Sequence, residues 1–137
     1  MNNFITKYHH KRLPKWLKTK LPGTQNFFQL KSLLKESGLN TVCESASCPN
    51  IGACWDAGTL TFMILGDTCT RACRFCDVPT GNLNSPDPNE PDKIALSLSR
   101  LNLNFAVITS VDRDDLPDGG AGHWVKTIRA IRGLCPK

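Results

Sequence analysis

Apolar residues change their spacing several times along the chain, and each change marks an expected element. Residues 1–23 show no period and are interrupted by Pro14 and Pro22, which reads as an extended arm with one helical turn near Trp16. Phe27, Leu30 and Leu34 then recur three and four apart, on one face of a helix. Thr24 stands where its hydroxyl can cap the first turn, the helix runs to about Glu36, and Gly38 supplies the residue that ends it. From 39 to 59 the period is lost. Cys43, Cys48 and Cys54 fall in that stretch, so something other than an apolar face has to organise it.

Thr61-Phe62-Met63-Ile64-Leu65 is short and almost wholly apolar and is closed by Gly66, as a strand buried on both faces would be. A polar loop rich in Pro and Asn follows from Thr80 to Pro91, after which Ile94, Ala95, Leu98 and Leu101 return at helical spacing. Phe105-Ala106-Val107-Ile108-Thr109 is a second apolar strand. A charged, Gly-rich loop from Ser110 to Gly122 leads to a second helix marked by Val125, Ile128 and Ile131. Strand, helix, strand, helix predicts an α/β fold with a parallel sheet and crossover helices. Two such units cannot close a barrel, which takes about 250 residues. The chain therefore reads as a fragment, or as one half of a protein whose other half lies in a second chain. On that expectation Phe62, Ile64, Val107 and Ile108 lack most of their neighbours.

Composition fits one ordinary domain: 137 residues, 40% hydrophobic and 21% charged, with no apolar run near the length of a membrane span. The net charge of +5 sits mostly at Lys7, Lys11, Arg12, Lys15, Lys18 and Lys20. Such an arm is a solvated terminus or a contact for an acidic carrier domain. Nucleic acid is not expected, because aromatics such as Tyr8 and Trp16 are few there and no binding fold is suggested. His9 and His10 are expected in solvent. The amino terminus lacks the pattern of a secretory signal or a transit peptide, which points to a reducing compartment, most simply a bacterial cytoplasm, with an organelle left open. Seven cysteines in such a place are metal ligands or redox groups rather than disulfides.

The cysteines fall into two triplets. Cys69, Cys73 and Cys76 are spaced x3 then x2 in a loop leaving a strand, with Phe75 before the last of them. Three thiolates so close suit three irons of a 4Fe–4S cubane and leave the fourth iron open to a small molecule. The competing reading is a zinc site built on Cys73 and Cys76. Cys43, Cys48 and Cys54 are spaced x4 then x5, with Pro49 and Gly52 to bend the chain, and again offer three ligands. Their competing reading is cysteine packed as a small hydrophobe. Cys135 reads as a lone thiol near a frayed end. Phe75 either faces a ligand or packs in the core, and Asp112-Arg113-Asp114-Asp115 is either a site loop or a solvated turn.

Taken in order, the two triplets resemble those of the lipoyl synthases, a radical SAM family. The resemblance extends through Thr41-Val42-Cys43, Pro49-Asn50-Ile51-Gly52, Thr61 to Arg71 and Ile108 to Ala121, with Lys15-Trp16-Leu17-Lys18 and Lys20-Leu21-Pro22 before them. It covers about residues 13 to 137. It implies a partial (β/α)6 TIM-like barrel, truncated after about two strand–helix units. Residues 1–60 would be an extension carrying an auxiliary cluster motif, and residues 61–137 the start of the barrel.

The resemblance also implies two 4Fe–4S clusters and S-adenosylmethionine. Cys69, Cys73 and Cys76 would hold the cluster that binds the cofactor. Thr109 and Ser110 would lie near the methionine amino group, Arg113 or Asp112 would shape the pocket, and Phe75 would present its backbone to the adenine. The reduced cluster would yield a 5′-deoxyadenosyl radical that takes hydrogen from an octanoyl chain. The cluster on Cys43, Cys48 and Cys54 would give the two sulfur atoms. Implied partners are octanoylated lipoyl carrier domains and an electron donor such as ferredoxin or flavodoxin. Two departures stand out: family members are roughly twice as long, as a barrel of typical size requires, and their serine ligand to the auxiliary cluster has no counterpart, since no serine follows Ser110. Another radical SAM reaction, a cluster-carrying module without catalysis, and an inactive truncated product are the other readings.

Overall fold

The computed structural model describes residues 14–18, 21–101, 103 and 105–136. Lys7, Lys11, Arg12, Lys20, His9 and His10, and with them most of the basic arm, lie outside the described residues. The turn expected near Trp16 is a 3-10 turn over Lys15–Leu17, and the Trp16 side chain stands in solvent.

Helix α1 spans Gln25–Ser37. The Thr24 hydroxyl accepts from the Phe27 amide at 3.2 Å, satisfying one of the orphan donors of the first turn. At the other end Gly38 takes φ +63°, and the Leu39 amide returns to the Leu34 carbonyl at 3.1 Å. Phe27, Leu30 and Leu34 are the buried face, as their spacing predicts.

The unpatterned segment turns out to be structured. It forms strand β1 (Asn40–Thr41), helix α2 (Val42–Ser45) and helix α3 (Ile51–Asp56). Each is too short to display a period. Thr41 caps α2 by accepting from the Glu44 amide at 3.2 Å.

Strand β2 is Thr59–Ile64, helix α4 is Glu90–Arg100, strand β3 is Phe105–Ser110 and helix α5 is Ala121–Leu134. Strands β2 and β3 pair in parallel, with Leu60 opposite Ala106, Phe62 opposite Ile108 and Ile64 opposite Ser110. Their connection through α4 is the expected crossover. Strand β1 adds an antiparallel neighbour on the other side of β2, with Thr41 opposite Phe62, which the apolar pattern did not foretell. The described residues therefore form a mixed α/β arrangement of one three-stranded sheet and the helices α1 to α5.

The core sits around the central strand. Trp55, Leu60, Phe62 and Ile64 are fully buried, with Phe27, Leu30, Leu34, Leu39, Ile94 and Val111 about them. Trp55 lies against Phe27 with ring centroids 5.1 Å apart. The expectation that Phe62 and Ile64 lack neighbours is thus corrected. The cause is the amino-terminal segment, whose Phe27, Leu34, Leu39 and Trp55 join the same cluster as the β2 side chains. Ile108 is half-buried against this core, whereas Val107 is 37% exposed and Phe105 62%.

Helix α5 also differs in its docking face. Val125 and Ile128, expected inside, are exposed, while Trp124 and Ile131 pack on the core and Thr127 is fully buried. Two polar contacts fix that rotation: His123 reaches Glu90 on α4, and the Trp124 indole N–H donates to Ser110 Oγ at 3.2 Å.

Candidate functional site

Because β2 and β3 run in parallel, their carboxyl ends lie at one edge of the sheet, where loops of α/β proteins gather ligands. Strand β2 ends in two successive left-handed residues, Leu65 at φ +71° and Gly66 at φ +110°. The chain then enters the loop that bears the x3, x2 triplet. Its neck is closed by the Cys69 amide on the Pro79 carbonyl at 2.9 Å and by a bridge between Cys69 and Thr80. Within it the Cys76 amide bonds the Cys73 carbonyl at 3.0 Å, which closes a tight turn between the last two cysteines.

Cys69 is half-buried; Cys73 and Cys76 are exposed. The Cys69 sulfur accepts from two backbone amides, Arg71 at 3.4 Å and Asp112 at 3.3 Å. Amide dipoles aimed at sulfur are what a metal-bound thiolate, which carries negative charge, is stabilised by. One of the two comes from the loop after β3, so the site draws on both strand ends.

The two loops are further latched. The Thr70 amide donates to the Asp112 carbonyl at 3.1 Å, and the Thr70 hydroxyl to Asp114 Oδ2 at 2.8 Å. Arg71 donates to the same carboxylate through Nε at 2.8 Å and Nη2 at 2.6 Å. The hydrogen bond from Arg71, with that from Thr70, holds the Asp114 carboxyl down at about 2, and the Arg71 guanidinium is pushed up in return. Asp112-Arg113-Asp114-Asp115 is therefore an ordered loop, with Arg113 buried and the three aspartates exposed to solvent.

The residues named from the resemblance are distributed as follows. Thr109 and Ser110 are half-buried at the end of β3, and Ser110 Oγ is engaged by Trp124. Arg113 is 3% exposed and forms a two-point pair with Asp115, Nε at 2.9 Å and Nη2 at 2.8 Å, while Nη1 donates to the Leu65 carbonyl. Phe75 is 94% exposed and takes no part in the core of the described residues.

The amino-terminal triplet lies on the short elements that the apolar pattern missed. Cys43 is on α2, Cys54 on α3 and Cys48 between them, its amide bonded to the Cys43 carbonyl at 3.1 Å. All three are half-buried, and Cys43 and Cys54 touch the rim of the apolar core. All seven cysteines are free thiols. Among the described residues no three His, Cys, Asp or Glu side chains stand close enough together to hold a metal ion. The donor chemistry nevertheless suits iron: two sets of thiols, one with backbone amides already directed at its sulfur. Cys135 is half-buried at the end of α5, away from both triplets in sequence.

A model of the N-terminal domain of lipoyl synthase of the radical SAM family matches residues 2–48, a stretch that includes Cys43 and Cys48. The lipoyl synthase of Nitrosomonas eutropha is 56% identical over 126 residues, which is 92% of this chain and 40% of that protein. The chain is homologous to the amino-terminal part of lipoyl synthases. The enzyme of Laribacter hongkongensis is 56% identical over 91% of the chain and 40% of its own length. For the lipoyl synthase of Flavobacterium johnsoniae the identity is 55%, over 90% of the chain and 43% of that protein. The chain thus spans about two fifths of the length of the lipoyl synthases it matches.

Sequence reasoning missed the contact of Glu90 with His123 and the pairing of Arg71 with Asp114. Glu90 and His123 lie 33 positions apart and share no motif. Only a folded α4–α5 pair makes them neighbours.

Proposed function

We propose that this chain supplies the cluster-binding part of a lipoyl synthase, a radical SAM sulfurtransferase that inserts two sulfur atoms into protein-bound octanoyl-lysine. The single observation that carries the reading is Cys69, the first thiol of the x3, x2 triplet, placed past the carboxyl end of β2 with two backbone amides on its sulfur. Cys69, Cys73 and Cys76 would hold one 4Fe–4S cluster with S-adenosylmethionine, and Cys43, Cys48 and Cys54 a second cluster. Together these groups supply one-electron chemistry and sulfur, which no side chain can provide for an unactivated carbon–hydrogen bond.

The chain's own residues bind and orient. The latch of Thr70 and Arg71 on Asp114 keeps the cysteine loop against the β3 loop, where Thr109, Ser110 and the Phe75 backbone would meet the cofactor. Arg113, held on Asp115 and the Leu65 carbonyl, would shape the pocket. The strand–helix–strand unit is the beginning of a (β/α)6 barrel in this reading, with residues 1–60 as an extension. The enzyme works in a reducing compartment, the cytoplasm or an organelle, on octanoylated carrier domains. It draws electrons from a small donor of the ferredoxin or flavodoxin kind. No helix among the described residues is long and apolar enough to cross a membrane.

Anaerobic reconstitution tests the reading. Iron and sulfide content should fall by one cluster when either triplet is replaced by alanine and vanish when both are. Electron paramagnetic resonance of the reduced protein should change on adding S-adenosylmethionine, and should still do so without Cys43, Cys48 and Cys54. Zinc alone in the purified protein would sink the proposal.

A further inference from the structure

Leu65 is where β2 stops and the chain turns toward Cys69. It is bulky, 1% exposed and left-handed at φ +71°, a conformation that only glycine adopts freely. Both of its backbone polar groups are taken by buried charged side chains from distant segments. The Leu65 amide donates to Glu90 Oε2 at 2.8 Å, and its carbonyl accepts from Arg113 Nη1 at 2.9 Å. Glu90 Oε2 is in turn held by His123 Nε2 at 2.7 Å, with side chains only 7% and 10% exposed. The Leu65 side chain closes against Gly120, where a Cβ would stand 2.5 Å from Leu65 Cδ1. A strained residue persists only where its surroundings over-determine it. Here α4, the β3–α5 loop and the start of α5 all do so.

We infer that Glu90 and His123 are positioning residues for the Cys69–Cys76 loop. They hold Leu65 left-handed, and through it set the direction in which the chain leaves β2 to present its three thiols. Glu90 acts on Leu65, and His123 acts on Glu90. The inference rests on the reading of Cys69, Cys73 and Cys76 as a cluster site. A merely structural tie between α4 and α5 would stabilise the fold without setting this angle, and the two roles make different predictions.

The experiment uses the whole chain with Cys43, Cys48 and Cys54 replaced by serine, so that one site alone can load. Glu90→Ala and Glu90→Gln are compared with Ile94→Ala, a buried position on the same helix. Three quantities are read: the thermal midpoint, hydrogen exchange of the Leu65 amide in the iron-free protein, and iron per chain after reconstitution. Glu90→Ala should speed exchange at Leu65 by roughly tenfold or more, as expected when a local hydrogen bond is lost. It should also reduce iron per chain by more than half. Ile94→Ala should lower the thermal midpoint at least as far while keeping its iron. Glu90→Gln, which retains an acceptor, should recover most of the loading. Adding Leu65→Gly to Glu90→Ala should recover it too, because glycine takes this φ unaided. If Glu90→Ala does not fold, His123→Gln replaces it, leaving the Leu65 hydrogen bond but removing its anchor. Equal iron loss in the Glu90 and Ile94 variants, or full iron in Glu90→Ala, overturns the inference. A parent protein that loads no iron at all refutes the cluster reading instead. In that case Leu65 exchange still judges the clamp, and wild-type protection in Glu90→Ala refutes it.

Discussion

Arg71 and Asp114, 43 positions apart, meet in a two-point contact that joins the cysteine loop to the loop after β3. Both side chains are about half exposed, so the pair contributes little to global stability. Its effect is local. It fixes the residue two places after Cys69 to the strand end that also sends an amide to the Cys69 sulfur.

Removing the carboxylate should therefore loosen the loop while leaving the fold intact. Asp114→Ala is expected to leave the thermal midpoint near that of the parent and to raise the alkylation rate of Cys69 severalfold in the iron-free chain. Mass spectrometry of the Cys69 peptide after timed exposure to iodoacetamide measures it. An unchanged rate would mean that the latch does not order the loop.

The latch should also persist to low pH. A carboxyl whose folded pKa lies below its unfolded value contributes stability that is present above the unfolded value and lost as pH falls through the folded one. Asp114 is lowered from 3.8 to about 2, chiefly by its hydrogen bond from Arg71. The contact should be intact above 3.8 and open only as pH falls toward about 2. Carbon-13 resonance of the carboxyl carbon, followed against pH, reports the midpoint directly. A midpoint at the ordinary value would show the pair unformed in solution.

Trp55 carries a different expectation. It is fully buried, and its indole N–H has no hydrogen-bond partner among the described residues. Trp55→Ala should cost about 3–5 kcal/mol by opening a cavity in the core. Trp55→Phe should cost much less, since it retains the ring against Phe27 and removes a donor left unpaired. Urea denaturation of the two variants settles the order, and equal losses would argue that the N–H finds a partner.

Gly120 and Gly38 offer a matched pair. Both have positive φ, but only Gly120 has a side chain in the way, Leu65 Cδ1 at 2.5 Å from a built Cβ. Gly38→Ala should cost about 1–2 kcal/mol for the left-handed backbone alone. Gly120→Ala should add about 1–3 kcal/mol for overpacking. It should disturb Leu65 as well, and amide exchange at Leu65 distinguishes the two variants.

Long elements with a full period were legible in the sequence. Thr24, the Phe27–Leu30–Leu34 face and Gly38 fixed α1 to within a residue, and the runs around Phe62 and Val107 located the parallel pair. Elements of two to six residues were not, because no period can develop over α2, α3 or β1. That gap explains the misjudged neighbours of Phe62 and Ile64: the missed segment supplies Trp55 to the same core. On α5 only Ile131 of the three residues that marked the helix docks on the core, since hydrogen bonds of His123 and Trp124 set the rotation. For the site, the cysteine spacing was plain, whereas the burial of Arg113 and its bond to the Leu65 carbonyl could not be read from a loop that also suited a solvated turn. Its pairing with Asp115 two positions on was the available signal.

The buried core has a further consequence for how the protein is made. All its members lie between Phe27 and Val111, and the six paired-triplet cysteines fall within that span. Ribosomes add about 5–20 residues each second and domains fold amino-terminal parts first. Once Val111 has been added, the most deeply buried apolar groups can meet one another, before Trp124 and Ile131 of α5 pack over them. The six thiols thus lie in the part of the chain made before the helix that completes this core.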